Sequence, residues 1–194
     1  ILNSFQEVVN QYNIEQELID TFLDSMEMDL NAQEYDQESF EKYILGSAEV
    51  VGLMCLRVFV EGDEAKYKSL EYYAMRLGSA FQKINFLRDL NADYKDLGRA
   101  YFPGLEVENF DADTKAKIEA DIARDFEDGF TGIKRLPKDT RFGVYVAYVY
   151  YHRLFKKIRN MPHHRVLEER IRIPNPRKYA LFISSYFRHQ FNII

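Results

Sequence analysis

A chain of 194 residues with 46% hydrophobic and 29% charged content is an ordinary folded globule in make-up, which excludes a disordered or collagen-like polymer. Its net charge of −5 and pI of about 5.5 argue against a nucleic-acid partner. The longest uncharged apolar stretches, 50–56 and 142–151, are far shorter than the ~20 residues that cross a bilayer, and the single cysteine, Cys55, excludes an intramolecular disulfide and a cysteine-cluster zinc site.

Apolar residues recur at intervals of three and four, the helix period, and no alternating strand pattern is long enough to count. Asn13 with Gln16 three residues later predicts a capping box opening a helix to about 30, with Leu18, Phe22 and Met26 on one face. A polar connector over 31–37 leads to a second helix ending near Val60. Asp63 is the expected N-cap of a long third helix over about 64–93, followed by a loop over 95–109. A fourth helix over about 113–134 is charged on most faces and is expected to lie at the periphery, ended by Pro137. The fifth, about 139–160, carries Phe142, Tyr145, Tyr148, Tyr150, Tyr151 and Phe155, which suit core packing or the lining of a dry pocket. After an irregular stretch, Asn175 and Pro176 predict an N-cap and N1 pair opening a last helix to about 191. The chain is expected to form one all-α domain.

Charge is distributed unevenly along it. Before Lys138 there are 28 acidic and 14 basic residues; from Lys138 onward there are 12 basic and 3 acidic. The basic third suits a phosphate group or an anionic lipid surface, or simply a set of solvated helix faces.

The third helix carries the chemistry. Gln82, Asn85, Asp89 and Asp93 follow one another at spacings of three, four and four, so they stack along one helix face over ~16 Å, with the two carboxylates ~6 Å apart along the axis. Apolar neighbours at Phe81, Ile84, Phe86, Leu87 and Leu90 imply that this helix is largely buried, where an unpaired carboxylate costs several kcal/mol. Mg²⁺ is the natural counter-charge, a hard cation taking carboxylate and amide oxygens and shared with a substrate phosphate, and Arg88 beside the row suits phosphate oxygens. The alternatives are a solvated face, or carboxylates held by the basic C-terminal segment. Towards the start of the helix the same face reads Gly78 and Met75, so it passes from oily to polar, as an amphiphile with an anionic head requires. On the second helix, Gly46, Ser47, Ala48, Gly52 and Met54 form a small-residue surface, for a ligand or for close helix packing.

Residues 82–103, QKINFLRDLNADYKDLGRAYFP, closely resemble the second aspartate-rich signature of the squalene/phytoene synthase family, and 26–30 (MEMDL) and 43–54 (YILGSAEVVGLM) resemble two further segments in the same order. The resemblance is greatest to bacterial phytoene synthases. It implies an isoprenoid-synthase-type helical bundle around a central substrate cavity, and a head-to-head condensation of two geranylgeranyl diphosphates to phytoene in carotenoid biosynthesis. Squalene or dehydrosqualene synthesis from farnesyl diphosphate is the runner-up, and a non-catalytic lipid-binding or assembly module a further alternative.

By resemblance, Asp89 and Asp93 are Mg²⁺ ligands with Asn85 assisting, Mn²⁺ being an alternative ion, and no NADPH is expected for phytoene synthesis. Gln82 and Arg88 contact diphosphate or the intermediate, Tyr101 belongs to the motif's tail, and Tyr151 stands near the diphosphate. Arg170 is the match for a later diphosphate-binding arginine, with Arg165 and Arg172 close alternatives. Asp29 matches an aspartate of the family's MEMDL segment, with a helix-surface salt bridge as the other explanation. The chain departs from the family at Ala92, commonly Glu, and at Glu49, often Gly, which brings a charge near the expected tunnel wall. The family's first aspartate-rich motif and N-terminal helices lie upstream of the segment matching Ile1. The chain is therefore expected to be a piece of something longer, inactive on its own, cytoplasmic, with peripheral membrane contact as a secondary expectation.

Overall fold

The computed structural model describes residues 2–30, 35–168 and 170–194, with the side chains of Asp96 and Leu97 outside that description. Helices follow in the order α1 (Leu2–Tyr12), α2 (Gln16–Met28), α3 (Gln37–Ile44), a π-turn (Leu45–Glu49), α4 (Val50–Phe59), α5 (Glu64–Leu97), a 3₁₀ turn (Val107–Asn109), α6 (Ala112–Arg135), α7 (Lys138–Arg159), α8 (His163–Val166) and α9 (Asn175–Gln190). No strand occurs among the described residues. The all-α class read from the periodicity holds.

The bundle is organised around α5, 34 residues long, against which α6, α4, the π-turn and α7 all pack. Both ends of α5 are set by local chemistry. Asp63 Oδ1 accepts the Lys66 backbone N–H at 3.0 Å, the expected N-cap. At the other end Gly98 takes φ +66°, its N–H bonding the Tyr94 carbonyl and the Arg99 N–H bonding the Asp93 carbonyl. This glycine-capped pair of reversed bonds extends the helix beyond 93 and holds the backbone of Asp93 in its last turns.

Ala80, Ile84, Leu87 and Leu90 of α5 are buried among Phe40 and Ile44 of α3, Phe126 of α6, Leu154 and Ile158 of α7, and Val166 of α8. A second cluster joins Leu53, Leu56 and Val60 to Tyr67 and Leu70. Between them α5 runs antiparallel to the π-turn and α4 along a seam of small residues. A Cβ on Gly52 would stand 2.7 Å from the Ala74 carbonyl oxygen, and one on Gly78 2.5 Å from that of Ala48. Close backbone approach therefore explains these glycines.

Several expectations need correction. Asn13 does not cap α2. It adopts φ +52° in the turn after α1, a conformation asparagine tolerates, and Glu15 occupies the N-cap without a side-chain bond. Helix α1 precedes the first element the periodicity picked out. Of the connector 31–37, residues 31–34 lie outside the described residues, and Asp36 caps α3 through the Ser39 N–H at 2.8 Å. The single helix expected up to Val60 is broken by the π-turn, where the Val50 N–H reaches back to the Leu45 carbonyl. The 95–109 loop begins only after α5 ends at Leu97 and closes with the 3₁₀ turn. Helix α6 is not peripheral. It lies along α5 with Lys115, Glu119 and Asp125 buried, their charges paired in the interior. Helix α8 breaks the stretch expected to be irregular, and the N-cap of α9 is Pro174, with Asn175 already helical and Pro176 in the first turn.

Candidate active site

The helical register brings Gln82, Asn85, Asp89 and Asp93 onto one side of α5, all half-buried. Each position has a different environment. The Asn85 Oδ1 atom is buried without a hydrogen-bond partner. Asp89 is gripped from two sides: Arg88 Nε donates to Oδ1 at 3.0 Å and its Nη2 to Oδ2, while Arg170 Nε approaches Oδ1 at 2.6 Å and its Nη2 donates to Oδ2 at 3.2 Å. Burial is the largest influence on the Asp89 carboxyl and pushes it upward, but the two guanidinium groups together outweigh burial and hold it below the usual aspartate range. One turn on, Asp93 makes no ion pair with any described residue. Burial first, and then the charge of Asp89, push its carboxyl up. The ladder thus carries one carboxylate held in ion pairs and one without an ion pair among the described residues, beside an orphaned amide oxygen.

Of the three candidate arginines, Arg170 is the one that reaches the ladder. Arg165 lies 3.7 Å from Glu168, and Arg172 is exposed, its carbonyl accepting from Lys157 Nζ at 2.9 Å. Tyr151 stacks on Phe81 with ring centres 4.2 Å apart, and its hydroxyl belongs to the electrostatic surroundings of Arg88. Tyr101 is buried, stacked on Phe86 at 4.1 Å and 5.5 Å from Tyr43. Burial raises its phenol, and both Asp93 and Asp29 lie within electrostatic reach.

Asp29 does form a salt bridge, but one between segments and part-buried rather than along one helix surface. Its Oδ2 accepts the Tyr43 hydroxyl at 2.9 Å, its Oδ1 accepts Arg99 Nη1 at 3.2 Å, and its carbonyl accepts Arg99 Nη2 at 2.7 Å, tying the end of α2 to α3 and to the chain leaving α5. Arg99 and Tyr43 were not singled out by sequence reasoning. Arg99 lies inside the 82–103 motif, so motif membership was its signal; its pairing across seventy positions had none. Glu49 is turned away from the expected tunnel: it is buried and pairs with Arg76, which also meets Asp125. Asp125 in turn accepts Ser79 Oγ and Lys83 Nζ, each at 2.8 Å.

On the face of α5 before the ladder lies a cavity of about 430 Å³. Its wall includes Ser47, Val51 and Gly52, Leu77, Gly78 and Phe81 from α5, Gly132 and Ile133 from α6, and Val144 and Ala147 from α7. Cys55 exposes its side chain within this apolar space, which pushes the thiol up and leaves it a weak nucleophile. Gln82 belongs to both features, lining the cavity and beginning the ladder. An apolar tail and a polyanionic head therefore have adjoining places on one helix.

The donor set fits magnesium. The ladder supplies hard oxygens, one of them a buried orphan, and only two carboxylates; no group of three or more His, Cys, Asp or Glu able to hold a metal occurs among the described residues. Mg²⁺ is typically held by one or two carboxylates plus substrate phosphates and waters.

Residues 1–177 match the family model described as squalene/phytoene synthase. Among curated proteins, the chain is 29% identical over 187 residues to the 15-cis-phytoene synthase of Synechocystis sp., covering 84% of this chain and 55% of that protein. It is 27% identical over 128 residues to the 4,4'-diapophytoene synthase of Staphylococcus haemolyticus, covering 64% and 43% respectively. The chain thus spans about half the length of these relatives. Among solved structures, a dehydrosqualene synthase in complex with ligand superposes with a TM-score of 0.74 at 20% identity over 90% of this chain and 65% of that one. YisP from Bacillus subtilis does so with a TM-score of 0.73 at 20% identity over 92% and 75%. These likenesses establish the isoprenoid-synthase-type fold.

Proposed function

The chain belongs to the squalene/phytoene synthase family, and on that premise we propose that it carries the second aspartate-rich half of a prenyltransferase site that joins two geranylgeranyl diphosphates head-to-head, forming phytoene and releasing diphosphate. The observation that carries this reading is the continuity at Gln82, where an oily cavity meets a row of oxygen donors.

Asn85, Asp89 and Asp93 are the residues that would hold Mg²⁺, or Mn²⁺ in its place. When bound, the ion neutralises the diphosphate and stabilises the charge on the departing group. Arg170 and Arg88, which pair with Asp89, are the residues whose N–H donors would bind phosphate oxygens. The stacked Phe81–Tyr151 pair offers π faces beside the cavity where the allylic carbon becomes positive. The apolar wall excludes water that would capture the cation. Tyr101 and the Asp29–Arg99–Tyr43 cluster brace the far end of the ladder.

The substrate is the finer part of the proposal. One curated relative is named a 15-cis-phytoene synthase and another a 4,4'-diapophytoene synthase, so farnesyl diphosphate is the second reading. A non-catalytic lipid-binding role is disfavoured because both carboxylates and the orphaned amide are kept together. The test is to incubate the complete protein with Mg²⁺ and either prenyl diphosphate. A C40 hydrocarbon from geranylgeranyl diphosphate supports the first reading and a C30 product from farnesyl diphosphate the second; no hydrocarbon from either rejects both.

A further inference from the structure

Helix α9 rests on the rest of the molecule along one side. Ser185 and His189 are buried against α7; His189 Nε2 lies 3.0 Å from the Lys138 carbonyl, and Phe182 and Tyr186 meet Phe142 edge-on at 5.7 and 5.9 Å. Its outer side is open. Tyr179, Ile183, Phe187 and Phe191, spaced by four, form one stripe exposed by 70%, 55%, 54% and 70%. A continuous exposed row of large apolar side chains marks a contact surface.

The charges beside the stripe are of one sign. By helical position Arg177 and Arg188 border one edge of the stripe, while Lys178 falls on the side that packs on α7, its ammonium 5.6 Å from the Tyr150 ring centre. From 170 to 194 the chain contains no acidic residue. This arrangement disfavours a second copy as occupant. A two-fold pairing of antiparallel α9 helices sets Arg177 opposite Arg188 of the copy, and a parallel one sets like against like.

We propose that α9 is an interfacial helix. Tyr179, Ile183, Phe187 and Phe191 enter the boundary between headgroups and acyl chains of an anionic bilayer, and Arg177 and Arg188 pair with the lipid phosphates. Aromatic rings flanked by cations on a helix lying in the membrane plane are the side chains this environment favours. The surface sits one helix away from the cavity, since α7 carries Phe142 beneath α9 and Val144 and Ala147 in the cavity wall. The proposal stands on α9 alone and does not depend on the reaction assigned to the ladder.

The experiment is flotation of the full chain with phosphatidylcholine vesicles, with and without phosphatidylglycerol, at low and high salt. The chain is expected to float with the anionic vesicles at low salt and to be released by salt. Arg177→Gln with Arg188→Gln should weaken partitioning about 30-fold. Tyr179→Ser, Ile183→Ser and Phe187→Ser together should abolish flotation, with circular dichroism and melting preserved in both variants. If the triple variant loses its fold, the arginine pair alone decides. A wild-type chain that stays down with anionic vesicles overturns the proposal, as does flotation indifferent to both variants. So does light scattering that shows a dimer dissolved by the serine substitutions while flotation is unmoved.

Discussion

Replacing Gly78 by Ala tests the seam on which the cavity is built. Helix propensity alone predicts stabilisation, because Ala is worth ~1 kcal/mol more than Gly in a helix interior. The structure predicts the opposite sign. The new Cβ would lie 2.5 Å from the Ala48 carbonyl oxygen and 3.0 Å from its carbon. The obstacle is backbone, so α5 and the π-turn must part by roughly 1 Å to reach ordinary contact. Overpacking of this kind costs ~2–3 kcal/mol, leaving a net loss of about 1–2 kcal/mol, or a fall in Tm of roughly 2–8 °C for a chain of this size. Gly143 is the control. It lies within α7 on the cavity wall, and a Cβ there meets nothing within 4 Å. Gly143→Ala should therefore raise Tm by roughly 1–4 °C. Urea and thermal melts followed by circular dichroism read both. If Gly78→Ala raises stability as Gly143→Ala is expected to, the close approach of Gly78 to Ala48 is refuted.

Asp125→Ala removes one of two carboxylate partners from the buried Lys83 ammonium and one of two from Arg76, and leaves the buried Ser79 hydroxyl without its acceptor, and should cost about 3 kcal/mol or more in urea unfolding; a loss within 1 kcal/mol would mean that Asp121 and Glu49 suffice as partners. Burial first, and then Lys156, hold His152 below its usual value of 6.5, while it stacks on Tyr148. The unfolded chain therefore binds this proton more readily, so the His152 contribution is complete above pH 6.5 and is lost as pH falls through the lowered native value. His152→Phe should flatten that part of the pH–stability curve, and an unchanged curve would place the acid sensitivity elsewhere. Ala147→Phe fills the cavity from α7 and should weaken binding of a prenyl diphosphate analogue roughly tenfold or more while leaving magnesium pyrophosphate binding unchanged; equal loss of both would show that the cavity does not hold the tail.

The features legible in the sequence are those that depend on one helix at a time. The Asp63 cap, the stop at Pro137 and the register of Gln82, Asn85, Asp89 and Asp93 follow from spacing along a single element, and the structure keeps all of them. Contacts between elements were hidden. Glu49 is a charge on an apolar surface until Arg76 and Asp125, from two other helices, are brought to it. The charged residues of α6 suggest solvent because a sequence does not show that Lys83 of α5 reaches Asp125, or that the Lys115–Glu119 pair, although at i,i+4 spacing along α6, is buried. The π-turn at 45–49 leaves the apolar pattern nearly unaltered, since one i→i+5 turn moves the register by a single residue. Asp29 could be placed by motif but not explained until Arg99 and Tyr43 reached it.

The most direct test of the central claim is calorimetric titration of the full chain with inorganic pyrophosphate, with and without Mg²⁺, for the wild type, Asp89→Asn and Asp93→Asn. The account predicts binding that requires the metal and falls at least tenfold in each variant while helical content and melting stay as in the wild type. Pyrophosphate binding indifferent to Mg²⁺, or a wild-type isotherm reproduced by Asp93→Asn, would contradict it.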